Sequence, residues 1–175
     1  NVDCFFIGEA EAAWDLFLAD LHAGELRPAY GAAVRDEEVD ALRAHFGPEA
    51  RIVRAVDYPD INQAPLPRFD LLALDQYAMM PVQASRGCPV GCEFCDIWRR
   101  FGRKSRNKRY DRMLAEMEEL YRLGWRDTVF LVDDNFIGNK PRAKELLGEL
   151  IAWQEAHGRP FPFLTEATLS MADDD

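Results

Sequence analysis

No stretch of this sequence approaches the ~20 consecutive apolar residues that a bilayer-spanning helix requires, so the chain reads as water-soluble. It lacks a surplus of positive charge. The net charge is −10, which argues against general affinity for nucleic acid, a polyanion that calls for a positive surface. No initiator methionine precedes Asn1 and no secretory signal pattern follows it. The closing Asp173-Asp174-Asp175 comes directly after what reads as a helix start, so both ends read as cuts through a longer protein. Cysteine is scarce, with four residues, three of them packed within eight positions. A secreted disulfide framework spreads its cysteines to close loops. Three packed so tightly point instead to metal binding in a reducing compartment, and hence to the cytoplasm. Cys4 stands apart, in the apolar run Val2 to Ile7, and reads as a buried, inert core thiol.

What is present is enough for one ordinary domain or parts of two: 175 residues, 48% of them apolar. Val2 to Ile7, followed by Gly8, reads as a buried strand. Ala10, Ala13, Trp14, Phe17, Leu18 and Leu21 fall at helical spacing, and Gly24 is placed as a C-cap. Asp36 is a candidate cap for a short helix through Val39, Leu42 and Phe46, ended by Gly47 and Pro48. Arg51 to Val56 alternates like a strand. Pro59, Pro65 and Pro67 stand among few apolar residues, and residues 57–80 read as a linker between domains 1–56 and 81–175.

From Pro81 the rhythm becomes regular. Val82 to Ser85 reads as a strand, and Met113, Leu114, Met117, Leu120 and Tyr121 as a helix stopping at Gly124. Thr128 to Val132 is an unbroken apolar strand of the kind found in covered parallel sheets. Pro141 suits the first turn of a helix whose face is Leu146, Leu147, Leu150 and Ile151, closed by Gly158. Phe161 to Leu169 reads as a third strand, and Ser170 with Asp173 as a capping box opening another helix. The β-α-β-α-β order means parallel strands. It fits the opening of a β/α barrel, of which most would be missing because a whole one takes about 250 residues. It fits an open doubly wound sheet equally well.

The chemistry concentrates in Ser85-Arg86-Gly87-Cys88-Pro89-Val90-Gly91-Cys92-Glu93-Phe94-Cys95-Asp96. Gly87, Pro89 and Gly91 let the backbone wrap tightly around a bound object. Structural zinc takes four ligands, and no fourth cysteine is near, while His22, His45 and His157 are distant in sequence. A four-iron cluster held by three thiolates keeps one iron open to a small molecule. The bland readings are a zinc knuckle or a chance cluster.

The motif Cys88-x3-Cys92-x-Phe94-Cys95 resembles the signature of the radical SAM superfamily. The resemblance implies a [4Fe–4S] cluster on Cys88, Cys92 and Cys95. Its open iron is chelated by S-adenosylmethionine (SAM), and one electron cleaves the sulfonium to give a 5′-deoxyadenosyl radical. Phe94 is implied to pack near the adenine, although a Phe94 that merely fills the barrel mouth would look the same. Gln83 to Pro89, Phe101-Gly102-Arg103-Lys104 and Val132 to Asn139 are similar to the subgroup that carries a cobalamin-binding domain, which includes proteins resembling hopanoid C2 methylases. Asp133, Asp134 and Asn135 stand where that superfamily places Gly-Gly-Glu, and so are implied to bind the SAM amino group; an Asx-type turn at the strand end is the alternative. Glu166, on the third strand, is a further candidate at the barrel mouth. Phe5 to Glu11 resembles the last strand and loop of a cobalamin domain, with Gly8 and Glu9 beside the cofactor.

The expected architecture is therefore α/β: the C-terminal tail of a Rossmann-like cobalamin-binding domain, a linker, and the first β/α units of a partial radical SAM TIM-like barrel. The expected activity is cobalamin-dependent methylation of an unactivated carbon in a small-molecule or lipid substrate. Ring contraction, rearrangement or methylthiolation are rivals within the family, and a zinc-stabilised nucleic-acid-binding module is the rival outside it. Arg99, Arg100, Arg103, Lys104, Arg106, Lys108, Arg109 and Arg112 form a basic block. It reads as a solvated loop, as a docking face for a flavodoxin or ferredoxin reductant, or as the contact surface of that nucleic-acid module.

Overall fold

The computed structural model describes residues 4–31, 35–52 and 57–173. The chain divides into two compact units, Asn1–Asp60 and Ile61–Asp175.

In the first unit, β1 (Phe5–Ile7) leads through a short 3-10 turn into α1 (Trp14–Ala23) and returns to β2 (Ala29–Gly31). The two strands pair in parallel, Phe6 opposite Tyr30. The helix ends as the sequence implies, at Gly24 in the left-handed region with φ 72°, a conformation that costs glycine least. An aromatic cluster holds the unit together. Phe6 stacks on Tyr30 with ring centroids 5.6 Å apart, and Phe17 meets the same tyrosine edge-on at 5.4 Å. Tyr30 is fully buried, yet its hydroxyl donates to Asp20 at 2.8 Å and accepts from the Arg27 N–H. The aromatic body is thus buried without stranding its polar tip.

The following helix, α2 (Asp36–Phe46), takes Arg35 rather than Asp36 as its N-cap. Asp36, Glu37 and Glu38 fill the first turn, where acidic side chains suit the helix dipole, and Glu38 reaches back to accept from the Arg35 N–H at 2.9 Å. Of the strand expected over Arg51–Val56, residues 53–56 lie outside the described residues. Ile52 makes a single parallel bridge to Ala29.

The second unit is built on a parallel sheet of three strands in the order β3 (Met80–Val82), β6 (Val129–Leu131), β7 (Phe163–Thr165). Between the first two lie β4 (Ser85–Arg86), α3 (Ile97–Arg100), β5 (Arg106–Asn107) and α4 (Tyr110–Arg122). Between the last two lies α5 (Lys140–Ala156). Met113, Glu116, Met117 and Leu120 of α4 are buried, the i, i+3, i+4, i+7 spacing of one helical face. Met113, Met117 and Leu120 pack with Met80, Val82, Val129 and Leu131 in one core. A fully buried side chain of this size contributes roughly 1.5–3 kcal/mol, and Met117→Ala would forfeit about 2–5 kcal/mol.

Further features differ from what the sequence implies. The strand read over Val82–Ser85 ends at Val82, and Ser85 belongs instead to the antiparallel pair of β4 and β5. Phe69, inside the stretch read as a linker, is buried in this core through a 3-10 turn at Phe69–Leu71. The helix expected to open at Ser170 is a five-residue 3-10 turn, Leu169–Asp173. On α5 only part of the apolar face is covered. Leu146 and Leu150 are buried, whereas Leu147 is 43% and Ile151 57% exposed. The latter two line, with Phe163 and Leu164, an apolar groove of about 460 Å³ beside β7.

Candidate radical SAM cluster site

The cysteine segment is a loop whose two ends are tied together. Ser85 and Arg86 pair antiparallel with Asn107 and Arg106, so residues 87–105 leave the sheet and return to nearly the same point. Gly87 makes the exit with φ 88°, and a Cβ there would meet the carbonyl oxygens of Lys104 at 2.7 Å and Phe101 at 2.8 Å. No side chain fits. The Cys88 N–H donates to the Gly102 carbonyl at 3.2 Å, and the Cys95 N–H to the Cys92 carbonyl at 3.1 Å. Cys88 is buried, Cys92 and Cys95 are half-buried, and all three are free thiols.

The end of β6 reaches this loop through three consecutive side chains. The Asp133 Oδ1 accepts from the backbone N–H groups of Ala84 (2.7 Å) and Ser85 (2.9 Å), and its Oδ2 from the Ser85 hydroxyl (2.9 Å). The Asp134 Oδ2 accepts from the Gly87 N–H at 3.0 Å. The Asn135 Nδ2 lies 3.9 Å from Cys88 Sγ, a long contact suited to a sulfur acceptor. Three neighbouring residues thus hold three successive points of the chain as it enters the loop. Burial raises the Asp133 carboxyl above the ordinary carboxylate pKa, against the lowering pull of the Ser85 and Ala84 hydrogen bonds.

Asp133, expected to bind the SAM amino group, is buried, and its two oxygens accept from Ala84 and Ser85. Asn135 is likewise buried, at 4% exposed, and its Oδ1 accepts from the Thr168 N–H at 3.3 Å. Asp134 is half-buried with one oxygen on Gly87. Phe94 is 94% exposed, with its ring uncovered beside Cys95. Glu166 is exposed, and its backbone carbonyl accepts from the Phe136 N–H at 3.0 Å. In the first unit, Gly8 has φ 74° directly after β1, and Glu9 is buried.

The basic block is not one uniform face. Arg100 pairs with Asp96, Arg109 with Asp111, and Lys108 with the buried Glu116 at 2.7 Å. Arg112 donates to the Ala64 carbonyl. Arg99, Arg103 and Lys104 are exposed, and the Arg103 and Arg99 guanidinium groups lie 4.3 and 4.9 Å from the centroid of the Trp98 ring.

The donor set fits an iron–sulfur cluster. Among the described residues no three His, Cys, Asp or Glu side chains converge as a single-ion site. A cubane takes its thiolates at separate corners, and three free thiols on one pinned loop supply three of the four.

Residues 82–174, more than half of the chain, match the Radical SAM superfamily, and the chain belongs to that superfamily, whose members use a [4Fe–4S] cluster and SAM. Among its curated relatives is an uncharacterized methyltransferase of Synechocystis, 56% identical over 136 residues that make up 78% of this chain and 25% of that protein. The hopanoid C-2 methylase of Rhodopseudomonas palustris is 36% identical over 153 residues, 87% of this chain and 28% of the relative. The bacteriochlorophyllide d C-12(1)-methyltransferase of Chlorobaculum tepidum is 25% identical over 136 residues, 77% and 26% of the two chains. The chain therefore spans about a quarter of the length of each of these proteins.

Proposed function

We propose that the protein carrying this chain is a cobalamin-dependent radical SAM methyltransferase that alkylates an unactivated carbon. The observation that carries the reading is the pinned loop, with three free thiols within eight residues and an uncovered Phe94 next to Cys95. When bound, the cluster supplies the electron that cleaves the sulfonium bond of SAM, and cobalamin supplies the methyl group. The protein's part is positional. Cys88, Cys92 and Cys95 would hold the cluster, Phe94 would cover the adenine, and Asp134 and Glu166 would receive polar groups of SAM. Gly8 and Glu9, after β1, are the proposed edge of the cobalamin site, in a domain tail that ends near residue 56.

The methyl-transfer reading draws support from the names of the three relatives, and the hopanoid methylase favours a lipid over another small-molecule substrate. The electron is proposed to come from an acidic flavodoxin or ferredoxin docking on Arg99, Arg103 and Lys104. The proposed location is the cytoplasm, whose reducing conditions keep such thiols free. No helix among the described residues is long and apolar enough to cross a membrane.

The decisive experiment uses the intact protein, reconstituted anaerobically with iron, sulfide and cobalamin and supplied with SAM carrying a labelled methyl group. Label entering a lipid-extract product supports the reading. Deoxyadenosine formation with an isomerised or ring-contracted, unlabelled product would replace methylation by rearrangement chemistry, and a labelled thiomethyl group by methylthiolation. Material that binds zinc and no iron would overturn the reading altogether.

A further inference from the structure

We infer that Asn135 is a positioning residue for the cluster ligand Cys88: its amide N–H is directed at the Cys88 sulfur and raises the potential at which the cluster is reduced. This rests on the cluster reading above and goes beyond it, because it assigns Asn135 to the electronics of the cluster rather than to SAM.

The orientation of the amide follows from its other partner. The two ends of an asparagine side chain look alike in shape and are told apart by what they face. Here one end lies 3.3 Å from the backbone nitrogen of Thr168. That N–H can only donate, so the carbonyl oxygen of Asn135 must face it. The NH2 group is then left with no choice but the Cys88 side, 3.9 Å from Sγ. A flipped side chain would set two donors against each other at Thr168 and a lone-pair oxygen against the sulfur. The side chain is 4% exposed and Cys88 is also buried, so water does not compete for either group. Asn135 is held from behind as well. Its backbone carbonyl accepts from the Gly138 N–H at 2.9 Å, and Gly138 itself is so close to Pro89 that a Cβ would meet the proline ring at 3.2 Å.

The consequence is electrostatic. Reduction of [4Fe–4S]2+ to [4Fe–4S]1+ adds one electron, taken from an external one-electron donor, and part of the added charge falls on the ligand sulfurs. A buried N–H dipole aimed at one of those sulfurs stabilises the more negative state, and hydrogen bonds to the sulfurs are among the factors that set cluster potentials.

The test compares the intact wild-type protein with Asn135→Leu and Asn135→Asp. Leucine keeps the branched shape and removes both polar ends. Aspartate keeps an acceptor for the Thr168 N–H and puts oxygen where the donor was. Each is reconstituted, assayed for iron and sulfide, and titrated at pH 8.5 with dithionite or titanium(III) while the reduced cluster is followed by electron paramagnetic resonance. The expected result is a full cluster and a midpoint potential shifted to more negative values in both variants. Fully loaded variants at the wild-type potential would overturn the inference while leaving the cluster reading intact. If leucine prevents loading, the aspartate variant decides alone. A wild-type protein that takes up no cluster would be a failure of the earlier reading and not of this one.

Discussion

The carboxylate of Asp133 accepts from both the backbone N–H and the hydroxyl of Ser85, at 2.9 Å each, across 48 positions of sequence. It joins the end of β6 to the strand that opens the cluster loop. Its titration is therefore tied to the stability of the second unit. Burial is the largest influence on it and raises its pKa above the ordinary carboxylate value. Between the unfolded and folded pKa values the native state holds more protons than the unfolded one, so stability falls as pH rises through that interval. The contribution is fully present below about pH 4, the unfolded carboxylate range, and is lost as pH passes the folded value. In Asp133→Asn the new amide would keep its carbonyl on the two backbone N–H groups and turn its NH2 to the Ser85 hydroxyl. The expected outcome, from urea denaturation of cluster-free protein between pH 4 and 7, is a wild-type advantage over Asp133→Asn that shrinks with rising pH. Asp133→Ala orphans two buried N–H groups and is expected to cost about 1–3 kcal/mol for each.

Gly87 admits no substitution. With φ 88° and two carbonyl oxygens within 2.8 Å of where a Cβ would stand, Gly87→Ala must both strain the backbone and open the loop. A cost of about 1–3 kcal/mol for the backbone conformation alone is expected. Iron and sulfide content after reconstitution should fall with it. A Gly87→Ala protein that loads a full cluster at wild-type stability would show that the loop does not close as described.

Lys108 and Glu116 form an ion pair with side chains only 11% and 4% exposed. Removing one partner of such a pair leaves an uncompensated buried charge, at about 3–5 kcal/mol. Glu116→Leu is expected to lose that much by denaturant titration, whereas Lys108→Met with Glu116→Leu recovers most of it. Equal losses in the single and double variants would mean that the pair is not coupled.

Phe94 contributes almost nothing to the fold, because its ring touches little. Phe94→Ala is expected to change stability by less than about 0.5 kcal/mol and to weaken SAM binding to the cluster-loaded protein in equilibrium dialysis. Unchanged SAM affinity would remove Phe94 from the adenine site.

For the docking face, Arg103 is a poor probe because its guanidinium lies 3.2 Å from where a Cβ on Gly91 would stand. Arg99→Glu with Lys104→Glu is the cleaner pair. Reduction by an acidic protein donor should slow and grow less sensitive to salt, while reduction by dithionite stays unchanged. An equal change in both rates would place the effect in the cluster itself.

The β-α-β-α-β rhythm was legible because periodicity is local: Met113, Met117 and Leu120 mark their face of α4 without reference to anything else. The cysteine motif was visible for the same reason, its three cysteines lying within eight residues. What stayed hidden was every relationship between distant positions. Phe69 sits among prolines and reads as connecting chain until β3 and α4 are folded around it. Lys108 reads as one cation of a basic run because its partner Glu116 lies on the far side of a helix start. The tasks of Asp133 and Asn135 depend on Ser85 and Cys88, nearly fifty residues earlier. The one local hint was three polar residues, Asp133-Asp134-Asn135, at the end of an apolar strand. At the other end of the second unit, Ser170 and Asp173 carry the letters of a capping box, but the described turn there is five residues of 3-10 helix.

The three tethers from β6 bear on what a chelator can undo. Small zinc domains are unfolded until the ion binds, and their chelators act as denaturants. Here the entry to the cysteine loop is tied by protein groups alone, Asp133 to Ser85, Asp134 to Gly87 and Asn135 to Cys88, and sequestering a metal breaks none of those bonds.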